Sequence, residues 1–266
     1  MAEIPLAGES VRQAEISLPI KLPSLGKLYG DKIPEGEIVI YPIRGQQEEM
    51  LASMGDNQNQ AMFMLQHIVQ QLVKLPVGMP IQDLLVTDWM ALLLNILAFS
   101  YSSIVTVTPQ CPSCKTQFRH EQDLKNLECT YACDLPGELQ EPMKTEPLPR
   151  SKQVITFQML RVRHMNEVQD YAQKYQAKQG TGGTDPSFTY SQALHILAID
   201  GESVQTLDAM RWLRQALAYD LTILRQEFAK WATGYDMSAL VHCPKCGLSF
   251  AAGLPLDFFR QVRSAP

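Results

Sequence analysis

An α+β fold is predicted by three observations: a strand-and-helix N-terminal region, two cysteine pairs that each sit between strand-like runs, and a mostly helical stretch separating those pairs. The pairs are Cys111-Pro112-Ser113-Cys114 and Cys243-Pro244-Lys245-Cys246. The first is entered by Ile104-Val105-Thr106-Val107 and left through Gln117-Phe118. The second is entered by Leu240-Val241 and left through Leu248-Ser249-Phe250. C-x-x-C between strands is the spacing of a zinc knuckle, and two knuckles supply the four thiolates that tetrahedral zinc accepts. A zinc-ribbon-like pair of β-hairpins is therefore expected, with Cys111, Cys114, Cys243 and Cys246 as ligands of a structural Zn2+. The inserted, mostly helical domain must then leave and return to the same place.

The elements follow in order. Residues 1–23 read as an irregular arm with scattered prolines. Residues 24–128 read as an α+β region that includes the first knuckle. It opens on the turn-rich Leu22-Pro23-Ser24-Leu25-Gly26-Lys27-Leu28-Tyr29-Gly30, and Glu37-Ile38-Val39-Ile40-Tyr41-Pro42 then alternates as a strand does. Glu48 and Glu49 open one helix. Ala61, Met62, Leu65, Ile68, Val69 and Leu72 mark the apolar face of a second, which ends before Pro76. Thr87-Asp88 can cap a third helix, Trp89 to Phe99, whose apolar residues run almost all the way round; such a helix belongs at the centre of a core.

Residues 129–153 contain Pro136, Pro142, Pro147 and Pro149 and read as an extended connector. Residues 154–235 form the mostly helical insert. Val154 to Val162 alternates as a strand, His164 to Lys178 is helical, and Gly180-Thr181-Gly182-Gly183 is a tip. A helix beginning at Pro186 is expected to run through Ala193, Leu194 and Leu197 to Asp200-Gly201. Leu207, Met210, Leu213 and Leu217 give one further helical stripe, and Leu221, Leu224, Phe228 and Trp231 another. Residues 236–266 carry the second knuckle and the tail.

With 266 residues, 45% of them hydrophobic, the chain has enough apolar side chain for a substantial core. A net charge of −5 argues against nucleic acid as partner, because phosphate contacts need clustered Lys and Arg. The start lacks a basic stretch followed by an apolar run, and the most apolar stretch, Trp89 to Phe99, is too short for a bilayer crossing. A soluble protein made in a reducing cytoplasm is expected, where C-x-x-C pairs bind metal or do redox chemistry more often than they form disulfides. The redox reading is the weaker of those two. A thioredoxin-type pair opens a helix, whereas strand-like runs follow here.

The remaining candidates carry less. Cys129 and Cys133 read as free or buried thiols, His242 as a solvated flank and His195 as a satisfied core histidine; His120 has no partner signature. The glycine tip is not a phosphate loop, since no strand precedes it and no Gly-Lys-Ser/Thr follows. No catalytic motif is present, and four thiolates leave a metal no open position, so no enzyme activity is expected.

Several landmarks occur in a fixed order: Leu22-Pro23-Ser24 through Tyr29, Gly36-Glu37-Ile38-Val39-Ile40, Glu48-Glu49, Asp88 with the apolar helix into Ser100-Tyr101-Ser102, the two knuckles, and Leu254-Pro255-Leu256-Asp257-Phe258-Phe259. From about Leu22 to Phe259 the chain resembles the T-even-like bacteriophage baseplate family, contractile-tail baseplate hub proteins or hub assembly factors. Ser100-Tyr101-Ser102 departs from the family pattern, in which a tyrosine is followed by glycine. The resemblance implies a non-catalytic structural or assembly (chaperone-like) protein of the virion tail baseplate. Its partners would be other phage tail or baseplate proteins (hub, wedge or tube subunits) in a multi-subunit symmetric assembly. The alternative is a zinc-ribbon nucleic-acid-binding protein. It is disfavoured by the few cations near the knuckles, which are offset by Glu121, Asp123 and Asp257. A metal-dependent wall-degrading enzyme ranks last.

Overall fold

The longest unbroken apolar run of the chain lies at its centre. In the computed structural model, which describes residues 16–53, 58–179 and 186–254, helix Val86–Ser100 buries Trp89, Leu92, Ile96 and Leu97 almost completely. The N-terminal elements wrap it: strands β1 (Leu18–Lys21) and β2 (Glu37–Ile40), then helices α1 (Gly45–Ser53) and α2 (Gln58–Leu72), with Val86–Ser100 as α3. Strands β1 and β2 pair antiparallel with Leu18 opposite Ile40. Strand β1 therefore lies inside the stretch read from sequence as an irregular arm; residues 1–15 of that stretch fall outside the described residues. The cross-strand partner that makes Leu18–Lys21 a strand lies about twenty residues on, so local periodicity could not reveal it.

Asp88 does not cap α3. It sits in the first turn, fully buried, and its carboxylate accepts three hydrogen bonds from the loop between β1 and β2. Oδ1 accepts the Ser24 N–H at 3.0 Å, and Oδ2 accepts the Ser24 hydroxyl at 2.5 Å and the Tyr29 hydroxyl at 2.6 Å. The Tyr29 oxygen in turn accepts the Leu85 N–H at 2.8 Å. Burial pushes the Asp88 carboxyl up while Ser24 and Tyr29 oppose it. The loop's shape also depends on glycine. Gly26 has φ +75°, and a Cβ there would lie 2.0 Å from the Ile33 carbonyl oxygen.

Two ribbons follow from the strand-like runs around the cysteines. Strands β3 (Ile104–Val107) and β4 (His120–Asp123) pair with Val107 opposite His120. The short strand β5 (Cys129–Thr130) comes next. Strand β6 (Met143–Lys144) joins β7 (Ile155–Phe157), β8 (Ile196–Ile199) and β9 (Glu202–Ser203) in an antiparallel sheet of order β6-β7-β8-β9. Helices α4 (Val162–Gln179), α5 (Ser187–His195), α6 (Thr206–Gln215) and α7 (Ala218–Lys230) complete this part of the chain, with α5 against β8 and Phe228 of α7 on Phe157 of β7. Then come β10 (Gly234–Tyr235), which pairs with β5, and the second ribbon, β11 (Ser238–His242) with β12 (Ser249–Gly253). The architecture is the mixed α+β one expected from sequence, with seven helices and several small antiparallel sheets among the described residues.

The differences are local and have physical causes. The proline-rich stretch 134–150 is not simply extended: Leu139, Met143 and Leu148 are buried, and β6 adds an edge to the sheet. The helix begun after Pro186 stops at His195. Ile196-Leu197-Ala198-Ile199 alternates buried and half-buried residues as β8, and the turn at Asp200-Gly201, with φ of 53° and 87°, reverses the chain into β9. In α6, Ala209, Met210 and Leu213 are buried while Leu207 is 53% exposed, so the true apolar face is narrower than the leucine stripe implied. Half-buried His195 stacks on Phe228 at 4.4 Å, and its Nδ1–H donates to the Gln158 carbonyl at 2.8 Å, so the ring is satisfied within the fold. The glycine tip, Phe258 and Phe259 lie outside the described residues. Among the described residues no helix is long and apolar enough to cross a membrane.

Candidate metal centre

The two cysteine loops fold alike because their sequences match by offset. In each, proline follows the first cysteine, lacks an N–H and restricts φ, which favours a tight turn there. The residue after the second cysteine then takes positive φ, 58° at Lys115 and 71° at Gly247. Its N–H returns to the carbonyl of the first cysteine, Lys115 to Cys111 at 3.0 Å and Gly247 to Cys243 at 2.9 Å. The first cysteine's own N–H reaches the carbonyl five residues on, Cys111 to Thr116 and Cys243 to Leu248, both at 2.9 Å. Beyond the loops the strands pair at the same offset: Gln110 opposite Gln117, and His242 opposite Ser249.

These loops face one another. Cys111 Sγ lies 3.6 Å from Cys246 Sγ, Cys114 Sγ lies 3.6 Å from Cys243 Sγ, and all four sulfurs fall within 4.8 Å of one another. None is in a disulfide. A tetrahedron with metal–sulfur arms of about 2.3 Å has edges of about 3.8 Å, so the spacing fits one ion held by four thiolates. Cys111 and Cys243 are buried, at 0% and 2% exposure, while Cys114 is half-buried and Cys246 exposed. Phe118 and Phe250 occupy equivalent positions and meet edge to face at 6.2 Å, a second contact between the two ribbons.

The electrostatics also suit a cation. The Thr116 hydroxyl, with its backbone N–H, pulls the Cys114 thiol down to about 6. The Leu248 N–H favours the Cys246 thiolate too, but burial and the neighbouring Cys111, Cys243 and Cys114 push that thiol up to about 11. Crowded sulfurs cannot all ionise against one another, and a divalent ion removes that conflict. A four-sulfur tetrahedral set suits zinc or iron and leaves no coordination position for a substrate.

The structure thus brings together Cys111, Cys114, Cys243 and Cys246, the four candidates taken from the sequence. Cys129, half-buried, and Cys133, exposed, do not join them; burial pushes the Cys129 thiol up. His242 is exposed and its Nδ1 lies 2.7 Å from the Ser249 hydroxyl, away from any ligand role. Sequence reasoning missed Thr116 and the Phe118–Phe250 contact. The signal was present: in both hairpins a phenylalanine stands four residues after the second cysteine.

Comparison with known proteins agrees with this geometry in one respect and is silent in two. Neither the curated proteins nor the solved structures yield a match to the chain. A family model described as T4 bacteriophage base plate protein matches residues 14–260, which include both knuckles, the apolar helix and the opening loop. The match covers most of the chain, and the protein belongs to the T4 bacteriophage base plate protein family.

Proposed function

We propose that this protein is a non-catalytic structural or assembly component of a contractile-tail baseplate, docking to hub or wedge subunits, with a structural zinc ribbon formed by Cys111, Cys114, Cys243 and Cys246. The family match over residues 14–260 carries the baseplate part of the reading. The sulfur spacing supports the metal part. Bound zinc would contribute on the order of 10 kcal/mol to holding the two ribbons together, and its role is that of a cross-link. The ribbons are separated by more than a hundred residues of chain, so one ion would fix both ends of the insert relative to the N-terminal core.

On this reading the chain is made in the host cytoplasm and acts at the virion tail baseplate. Co-purification from infected cells tests it: identified hub or wedge subunits should accompany the tagged full-length chain. Failure of every tail subunit to associate, from assembly intermediates and mature particles alike, would remove the proposal. Mass spectrometry of mature particles then separates the two roles, since a structural subunit is retained and an assembly factor is not.

A further inference from the structure

Helices α5, α6 and α7 leave a groove between them that the fold itself does not fill. Its floor is Leu213 and Leu224, and Arg214 and Arg225 line it as exposed residues. Phe188, 60% exposed, also lines it, with the Arg225 guanidinium 5.3 Å from its ring centre. Leu217, 57% exposed, lies one helical turn before the lining residue Leu221 and extends the apolar surface. Among the described residues no acidic side chain lines the groove and neither arginine makes an ion pair. In a chain of net charge −5 the described residues form a local positive rim around an apolar floor here.

Aromatic and arginine side chains beside an apolar pocket are the composition of an interface centre. The charge decides the occupant. A second copy placed symmetrically would set the same arginines against one another. A nucleic acid would find two cations and an apolar floor, too little charge for backbone binding. Carboxylates flanking an aliphatic or aromatic side chain would satisfy both the rim and the floor. We propose that this groove docks an acidic, apolar segment of a neighbouring tail subunit, with its carboxylates on Arg214 and Arg225 and its apolar side chain over Leu213 and Leu224. The proposal rests on the baseplate reading and deepens it.

The test uses the full-length chain in infected cells. A photo-reactive benzoyl-phenylalanine replaces Phe188, and the cross-linked peptide is identified by mass spectrometry. The expected adduct is a tail-subunit segment in which Asp or Glu flanks apolar residues. In parallel, the Arg214→Glu/Arg225→Glu double variant should lower the yield of co-purified tail subunits by about tenfold or more, with an unchanged circular dichroism spectrum and thermal midpoint. Cross-linking to a second copy, to residues 255–266 of the same chain or to nucleic acid would overturn the assignment. So would undiminished association of the double variant, which would leave the baseplate reading intact and remove only the groove. Absence of any tail subunit from the wild-type preparation would instead sink the baseplate reading, and this proposal with it.

Discussion

Replacing Asp88 by alanine removes the acceptor of three buried hydrogen bonds, from the Ser24 N–H, the Ser24 hydroxyl and the Tyr29 hydroxyl. The two hydroxyls can turn toward other acceptors, but the Ser24 N–H cannot. Each buried donor left unpaired costs about 1–3 kcal/mol, and relief of the carboxylate's own desolvation offsets part of the sum. The net loss is about 4 kcal/mol, which for a chain of this size lowers the thermal midpoint by roughly 8–14 °C. Asp88→Asn keeps an oxygen for the Ser24 N–H and presents an amide N–H to hydroxyls that can accept it, so its cost is about 1 kcal/mol. Thermal and denaturant unfolding of the three proteins measures both. A loss below about 1 kcal/mol for the alanine variant, or equal losses for the two, would refute the idea that this carboxylate ties the opening loop to α3.

Other expectations follow from the same kind of geometry. Gly26→Ala places a Cβ against the Ile33 carbonyl oxygen and forces strain at φ +75°, so it should destabilise by at least about 2 kcal/mol in denaturant unfolding. Burial, then Arg163 and Arg161, hold the buried His164 imidazole down to about 4 from an ordinary 6.5. The unfolded chain therefore takes a proton that the folded chain refuses; stability falls as pH drops from about 6.5 toward 4, by up to about 3 kcal/mol. His164→Asn can keep an acceptor for the Arg161 N–H that Nδ1 now accepts, and should lose less stability than wild type over that window when unfolding is followed by fluorescence. Asp220 accepts the N–H groups of Arg150 and Ser151 at 2.9 and 2.8 Å. Although burial acts the other way, those donors hold its carboxyl below the usual range; Asp220→Ala leaves both N–H groups without their acceptor and should lower the denaturant midpoint in the same unfolding assay.

Much of this molecule could be read before its structure. Doubled C-x-x-C pairs between strand-like runs require two distant hairpins to meet, and the four sulfurs do meet. The near-continuous apolar run around Trp89 marked the central helix, because no other arrangement hides apolar side chains on every side. What stayed hidden depended on partners remote in sequence. Leu18–Lys21 becomes a strand only against Glu37–Ile40, and Ile196–Ile199 leaves a helical pattern only because β7 lies beside it. The prolines of 134–150 suggested an extended connector, yet Leu139, Met143 and Leu148 are buried there between them. Asp88 had the sequence of a capping residue; its carboxylate instead accepts from a serine and a tyrosine about sixty positions earlier. Local pattern identified element types well and tertiary partners poorly, since a hydrogen bond across the chain leaves no period in the sequence.

Metal analysis of the purified full-length protein reaches the central claim most directly, with the Cys111→Ser and Cys243→Ser variants measured beside it. The account predicts about one zinc per wild-type chain, a strongly reduced content in each variant, and poor solubility once the ion is lost. Wild-type protein free of zinc, with both variants as soluble and as stable as the parent, would contradict it.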